Sequence, residues 1–190
     1  MTRVAEHEIK SHFLERWSPR AMSGEPVSEG DLLRLFEAAR WAPSSGNNQP
    51  WRFVYGRAGT ASFDGFFNLL VEANRAWCVN AGALVVVLSR KVNDAGKPAR
   101  THSFDTGAAW MSLALQGTAM GLVVHGMQGF DYERARAELG VPEEFAVEAM
   151  IAIGHPGKVE DLSEKDQARE KPNTRKPLKE LVFEGRFPAA

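Results

Sequence analysis

An unbroken run of apolar residues, ALVVVL at positions 83–88, limits the possible folds more than any other feature of the chain. Six consecutive apolar residues without alternation predict a strand that is buried on both faces, at the centre of a sheet. Residues 149–153 predict a second buried strand, and residues 51–55 and 122–124 predict two shorter ones. Because helical patterns separate these strands, the sequence predicts an α+β protein.

Five helices are predicted around these strands, at residues 9–17, 32–39, 63–73, 103–120 and 132–139. The first should end near Pro19, since the residue before a proline is driven out of the helical region. Ser28 and Asp31 form an N-terminal capping signal for the second helix, which Pro43 stops. The fourth contains small residues that permit close packing, so we expect it to lie in the interior.

Length and composition narrow the classes of protein that fit. A chain of 190 residues is expected to form a single domain, residues 1–190, in which residues 160–190 make a charged, extended C-terminal arm. With 23 basic and 24 acidic residues the net charge is -1, so we expect no nucleic-acid partner. No apolar run is long enough to cross a bilayer, and no membrane association is expected. Cys78 is the only cysteine, which favours a reducing, cytoplasmic compartment.

The segment around Pro19 is a candidate anion site. Extended backbone places side chains two residues apart on the same side, so Arg16, Ser18 and Arg20 should converge. Two guanidinium groups and a hydroxyl suit a phosphate, because arginine supplies charged, forked donors. The alternative is that both arginines are solvated surface residues.

The loop at residues 43–50, PSSGNNQP, concentrates backbone donors and side-chain amides between a predicted helix and a predicted strand. Asparagine and glutamine can pair with a ring that presents both carbonyl oxygens and N–H groups, such as the pyrimidine edge of a flavin. Its composition alone is equally typical of an ordinary turn.

Taken in order, R-W-S-P-R at residues 16–20 and A-R-W-A-P-S-S-G-N-N-Q-P-W at residues 39–51 resemble the nitroreductase family of FMN enzymes. Further matches follow along the chain: Asn74, H-G-M-Q-G-F-D at 125–131, I-A-I-G-H-P-G-K at 151–158 and R-K-P-L at 175–178. The resemblance implies a central mixed sheet flanked by helices, in an intertwined homodimer with FMN at the subunit interface.

The resemblance also implies a role for each matching residue. Arg16, Trp17, Ser18, Arg20 and Arg175, with Lys176, would surround the FMN phosphate and ribityl chain. Asn74, Met127, Gln128 and Gly129 would contact the isoalloxazine ring. Pro43, Ser44, Ser45 and Asn47 would reach the flavin of the other subunit. His125 is a weak candidate for a proton donor, and a histidine fixed by local hydrogen bonds is the plainer interpretation.

The implied chemistry belongs to the flavin. NADPH or NADH would stack on it and give hydride to N5, and a small electron-poor acceptor (a nitroaromatic, a quinone or an activated alkene) would then be reduced in the same pocket. Two alternatives remain open. One is reductive dehalogenation or flavin breakdown on the same fold, and the other is a non-catalytic dimer that only holds flavin.

This sequence departs from the family pattern at three positions. Trp77 stands where some relatives place a lysine, Gln128 where some carry glutamate, and Asn173 where a second basic residue is sometimes found. The five histidines include no H-E-x-x-H pair, so we expect no metal site.

Overall fold

The structure, a computed structural model, describes residues 3–188. Its elements in chain order are α1 (His12–Glu15), α2 (Glu29–Arg40), β1 (Trp51–Arg57), α3 (Ala61–Leu69), α4 (Glu72–Cys78), β2 (Ala83–Arg90), α5 (His102–Ala119), β3 (Val123–Met127), α6 (Tyr132–Glu138), β4 (Phe145–Gly154) and α7 (Glu164–Gln167). Short 3₁₀ turns cover Ser45–Asn47, Val159–Asp161 and Leu178–Glu180. In this part of the chain no helix has the length and apolar character needed to cross a membrane.

The four strands form one sheet in the order β1-β2-β4-β3. Each neighbouring pair is antiparallel. The α+β class is therefore confirmed, while the prediction of a mixed sheet is wrong for the described residues. β2 and β3, which α5 links, run in the same direction, but they are not neighbours in the sheet. β4 lies between them and pairs antiparallel with both, so no parallel pair forms.

The central strand β2 is buried on both faces, as the apolar run predicted. Leu84, Val86 and Leu88 belong to a core that includes residues of α3, α4 and α6. Val85 and Val87, on the opposite face, pack in a second core with α2 and α5. Because successive side chains of a strand point to opposite faces, two helical layers require an apolar residue at every position.

Local sequence signals predicted the start of α2 correctly and overestimated the length of the first helix. The Ser28 hydroxyl accepts a hydrogen bond from the Asp31 N–H at 3.0 Å, which caps α2 as predicted. The helix predicted at 9–17, however, is reduced to α1, and none of its residues is buried. Ile9 and Phe13 remain about half exposed, and no residue of α1 belongs to either core of the described chain, so burial does not stabilise a longer helix here.

The helix predicted at 63–73 ends at Leu69, and a separate helix, α4, begins at Glu72. Leu70 is extended and forms an isolated bridge with Phe130. The Val71 N–H donates to the Gly129 carbonyl at 3.1 Å, which ties the break to the loop after β3. These tertiary contacts replace the helical bonds that local propensity favoured.

The segment after β4 is partly helical and is anchored to the N-terminal segment. The carboxylate of Glu170 accepts hydrogen bonds from the backbone N–H groups of Arg20 at 2.7 Å and Ala21 at 2.9 Å. Asp166, on α7, is also buried and lies 3.9 Å from the Arg20 guanidinium. From residue 173 to residue 188 every residue is exposed.

Candidate functional site

Two open clefts meet at Arg16, Ser18 and Arg175, which line both of them. The first, of about 790 Å³, is called the basic cleft here and is also lined by Arg3, Trp17, Arg20, His125, Arg169, Lys171 and Asn173. The second, of about 650 Å³, is called the apolar cleft because most of its other lining residues are apolar, among them Val87, Trp110, Met111, Met127, Ala149 and Ile151. Ser103, Thr106, Gln128 and Glu148 are its polar lining residues. Together they make a groove with a cationic end and an apolar end.

The basic cleft brings together the residues that the R-W-S-P-R segment predicted. The Arg16 guanidinium donates to the Ser18 hydroxyl at 3.4 Å, so the two side chains converge as expected. Burial and the nearby charges of Arg3 and Arg175 lower the pKa of Arg16. Among residues 3–188 no carboxylate lies within 4.0 Å of any of these three guanidinium groups. Their positive charge is therefore free to bind an anion.

Arg20 lines the same cleft but differs from Arg16 in its surroundings. Its guanidinium lies 3.9 Å from the carboxylates of both Asp166 and Glu170 and about 6.0 Å from the centre of the Trp77 ring. Two carboxylates partly neutralise its charge, so Arg16 and Arg175 are the stronger candidates for binding an anion.

His125, on β3, is fixed by local contacts. Its Nδ1 lies 2.7 Å from the Pro19 carbonyl oxygen, and since a carbonyl can only accept, Nδ1 carries the hydrogen. The imidazole also packs on Trp77, with the ring centres 4.6 Å apart. Burial lowers the pKa of His125, with a further contribution from the charge of Arg20. The side chain therefore joins β3 to the segment around Pro19.

Trp110 forms part of the wall of the apolar cleft. Trp110 packs so closely on Gly126 that a Cβ at position 126 would lie 2.9 Å from the indole. Met127 and Gln128, at the end of β3, line the same cleft, and their contact with the flavin ring stays a prediction. Glycine at 126 thus lets the aromatic side chain approach the strand backbone.

Asn74 and Gly129 meet each other beside the cleft. The Asn74 side chain donates to the Gly129 carbonyl at 3.0 Å, and a Cβ at position 129 would lie 2.5 Å from that amide nitrogen. Neither residue lines either cleft. The contact fixes the loop that carries Gln128, which makes Asn74 a positioning residue in this arrangement.

The loop at residues 43–49 lies apart from the groove of its own chain. Pro43, Ser44, Ser45 and Asn47 line neither cleft, and the same holds for Lys176. The Ser45 N–H donates to the buried carboxylate of Asp105 at 3.1 Å. Asn47 and Gln49 have positive φ angles of 55° and 46°, an uncommon conformation for residues other than glycine. Side chains of this loop are therefore presented to the outside of the chain.

The structure adds residues that the sequence did not single out. Arg3 lines the basic cleft and contacts Asn173, 170 residues away, and no local pattern predicts such a contact. Asp105, in the first turn of α5, accepts a hydrogen bond from the Ser45 N–H and so holds the 43–49 loop. In the part of the chain that is described, no three His, Cys, Asp or Glu side chains are grouped so that they could hold a metal ion.

Known proteins resemble this chain in both sequence and fold. A sequence profile of the nitroreductase family matches residues 14–60 and 58–155. A solved structure described as an oxidoreductase containing FMN is 43% identical, with a TM-score of 0.95 and coverage of 99% of this chain and 97% of the other. A protein of Mycolicibacterium smegmatis, uncharacterized and of 15.4 kDa, is 33% identical over 72% of this chain and 97% of its own length. A protein of Thermus thermophilus named NADH dehydrogenase is 30% identical over 80% of this chain and 88% of its own length.

Proposed function

This chain belongs to the nitroreductase family, and we propose that it is an FMN-dependent enzyme that passes electrons from NADPH or NADH to a small electron-poor acceptor. The observation that carries the proposal is the groove, in which guanidinium groups that no carboxylate of residues 3–188 approaches within 4.0 Å adjoin a largely apolar cleft. FMN has the same two parts, an anionic phosphate and a planar ring. The similar FMN-containing oxidoreductase supports this choice of cofactor.

The residues of the basic cleft fit a phosphate. Arg16 and Arg175 supply charged donors that no carboxylate of the described chain neutralises, and Ser18 adds a hydroxyl. Arg20 and Trp17 line the same cleft. The carboxylates of Asp166 and Glu170 partly neutralise the charge of Arg20. Placing such cations close together is unfavourable without an anion, because like charges repel.

The residues of the apolar cleft fit the ring of the flavin. When bound, FMN supplies the chemistry by accepting hydride from NAD(P)H and passing it to the acceptor. The chain's contribution is to orient the ring against Met127 and Gln128, to exclude water at the Trp110 wall, and to offer backbone N–H groups of the 127–129 loop. Asn74 keeps that loop in place through the Gly129 carbonyl. His125 positions the Pro19 turn, and no proton transfer is assigned to it.

The proposed active unit is a homodimer in the cytoplasm, built from one FMN-binding domain per chain with an arm from residue 160. Two observations support the dimer. The 43–47 loop does not line the groove of its own chain, so we expect its side chains to contact the flavin of a second chain. These side chains are Pro43, Ser44, Ser45 and Asn47. Large apolar side chains are also exposed, with Trp41 at 74% and Phe104 at 81%.

Steady-state kinetics of the FMN-loaded protein test the proposal. NADPH or NADH is varied at several fixed concentrations of a quinone, and a ping-pong reaction gives parallel double-reciprocal lines. Arg16→Ala should lose turnover at low FMN concentration, whereas Arg34→Ala, at an exposed surface site paired with Asp31, should retain it. Negligible turnover by fully loaded protein would favour a flavin-holding role instead.

A further inference from the structure

We propose that Arg3 completes the phosphate site and makes the groove selective for a flavin that carries a phosphate monoester. This inference rests on the proposed function, since it concerns the same groove. It assigns a role to the N-terminal segment, whose Arg3 lies against the C-terminal arm at the mouth of the basic cleft.

Arg3 is held in place by four hydrogen bonds. Its Nη1 donates to the carbonyl oxygens of Leu14 at 3.0 Å and Arg16 at 2.6 Å. Its Nε donates to the Asn173 carbonyl at 3.0 Å, and its Nη2 donates to the Asn173 side-chain oxygen at 3.2 Å. A guanidinium group has five N–H donors, so one remains for a ligand. The side chain is thus preorganised, which reduces the entropy lost on binding.

Asn173 joins this arginine to a second one. The Arg175 guanidinium donates to the same Asn173 side-chain oxygen at 2.8 Å. One neutral amide oxygen therefore accepts from two cationic side chains and holds them side by side. Position 173 carries a neutral asparagine, and Arg3 supplies a positive charge beside it.

The charges around the cleft show which cations remain available. Arg20 and Arg169 lie within 4.0 Å of Asp166, so a carboxylate offsets their charge. Arg3 is hydrogen-bonded only to neutral oxygens, and no carboxylate of residues 3–188 lies within 4.0 Å of it. Arg3, Arg16, Arg175 and Lys171 thus line the cleft with no carboxylate of residues 3–188 within 4.0 Å, and these four positive charges match a dianionic phosphate monoester better than an uncharged ribityl end.

The test compares FMN with riboflavin, which lacks the phosphate, in fluorescence titrations of flavin-free protein. Arg3→Gln removes the charge and keeps hydrogen-bonding ability, and Arg3→Lys keeps the charge. The matched control is Arg34→Gln, an exposed arginine on α2. We expect Arg3→Gln to weaken FMN binding about tenfold or more, as loss of a charged contact does, and riboflavin binding less than twofold. Arg3→Lys should retain part of the FMN affinity, because it keeps the charge but loses the hydrogen bonds that hold the guanidinium group in place.

Equal weakening for FMN and riboflavin would overturn the inference, because Arg3 would then only support the local fold. Loss of FMN affinity in Arg3→Lys as large as in Arg3→Gln would overturn it as well. Melting curves of the flavin-free variants show separately whether either change unfolds the protein. If the wild-type chain binds neither flavin, the proposed function fails. If Arg3→Gln binds FMN as tightly as the wild type does, only the inference about Arg3 is contradicted.

Discussion

Removing the carboxylate of Glu170 should destabilise the protein more than any other single change at the C-terminal arm. Its side chain is only 2% exposed, and one oxygen accepts the N–H groups of Arg20 and Ala21 at 2.7 and 2.9 Å. Breaking a buried charged interaction by deleting one partner costs about 3–5 kcal/mol. Asp166 remains 3.9 Å from the Arg20 guanidinium, so we expect Glu170→Ala to fall near the lower limit, about 3 kcal/mol.

Urea denaturation of flavin-free protein, followed by tryptophan fluorescence at one fixed protein concentration, measures this loss. Glu170→Gln keeps an acceptor for both N–H groups and loses the charge, so it should cost about 1–1.5 kcal/mol. Glu138→Ala removes an exposed ion pair with Arg134 and should cost less than about 1 kcal/mol. If Glu170→Ala unfolds within about 1 kcal/mol of the wild type, the carboxylate does not anchor the arm as described.

Three further predictions concern a buried thiol, a buried imidazole and a glycine in close contact with Trp110. Burial strongly raises the pKa of the Cys78 thiol, so a thiol reagent at pH 8 should leave native protein unlabelled and label one cysteine per chain in urea. The pKa of His125 is lowered, so the unfolded chain binds its proton more readily and stability should fall as pH drops below about 6.5. Urea curves at pH 7.5 and 5.5 should therefore differ less in His125→Asn, and an unchanged difference would refute this assignment. Gly126→Ala places a methyl group 2.9 Å from Trp110, and a thermal melt should show a loss of about 1–3 kcal/mol, whereas an unchanged melt would mean that Trp110 moves freely.

Features of the fold that depend on local chemistry were predictable from the sequence. The six-residue apolar run at 83–88 could form only a strand with both faces covered, and it does. The Ser28 cap was recognisable because its hydrogen bond joins residues three apart. The first helix was overestimated because periodicity shows an apolar stripe without showing whether a core exists to receive it.

The site was predictable in its residue types and less so in its contacts. The spacing of Arg16 and Ser18 correctly placed them together. No local pattern indicates that the Asn74 side chain donates to the Gly129 carbonyl, because the two residues are 55 positions apart and only the tertiary fold brings them together. Arg3 was missed for the same reason, since its partner Asn173 is 170 residues distant and only the tertiary fold brings the two together.

The most direct test of the central claim is an anaerobic titration of the FMN-loaded protein with NADPH and, separately, NADH, recorded in the visible spectrum. If the groove holds FMN in a reducible position, the protein retains yellow colour through gel filtration, and an equal amount of at least one nicotinamide bleaches the bound flavin. Protein that takes up no FMN, or whose bound FMN neither nicotinamide reduces, would contradict the assignment as an FMN-dependent NAD(P)H oxidoreductase.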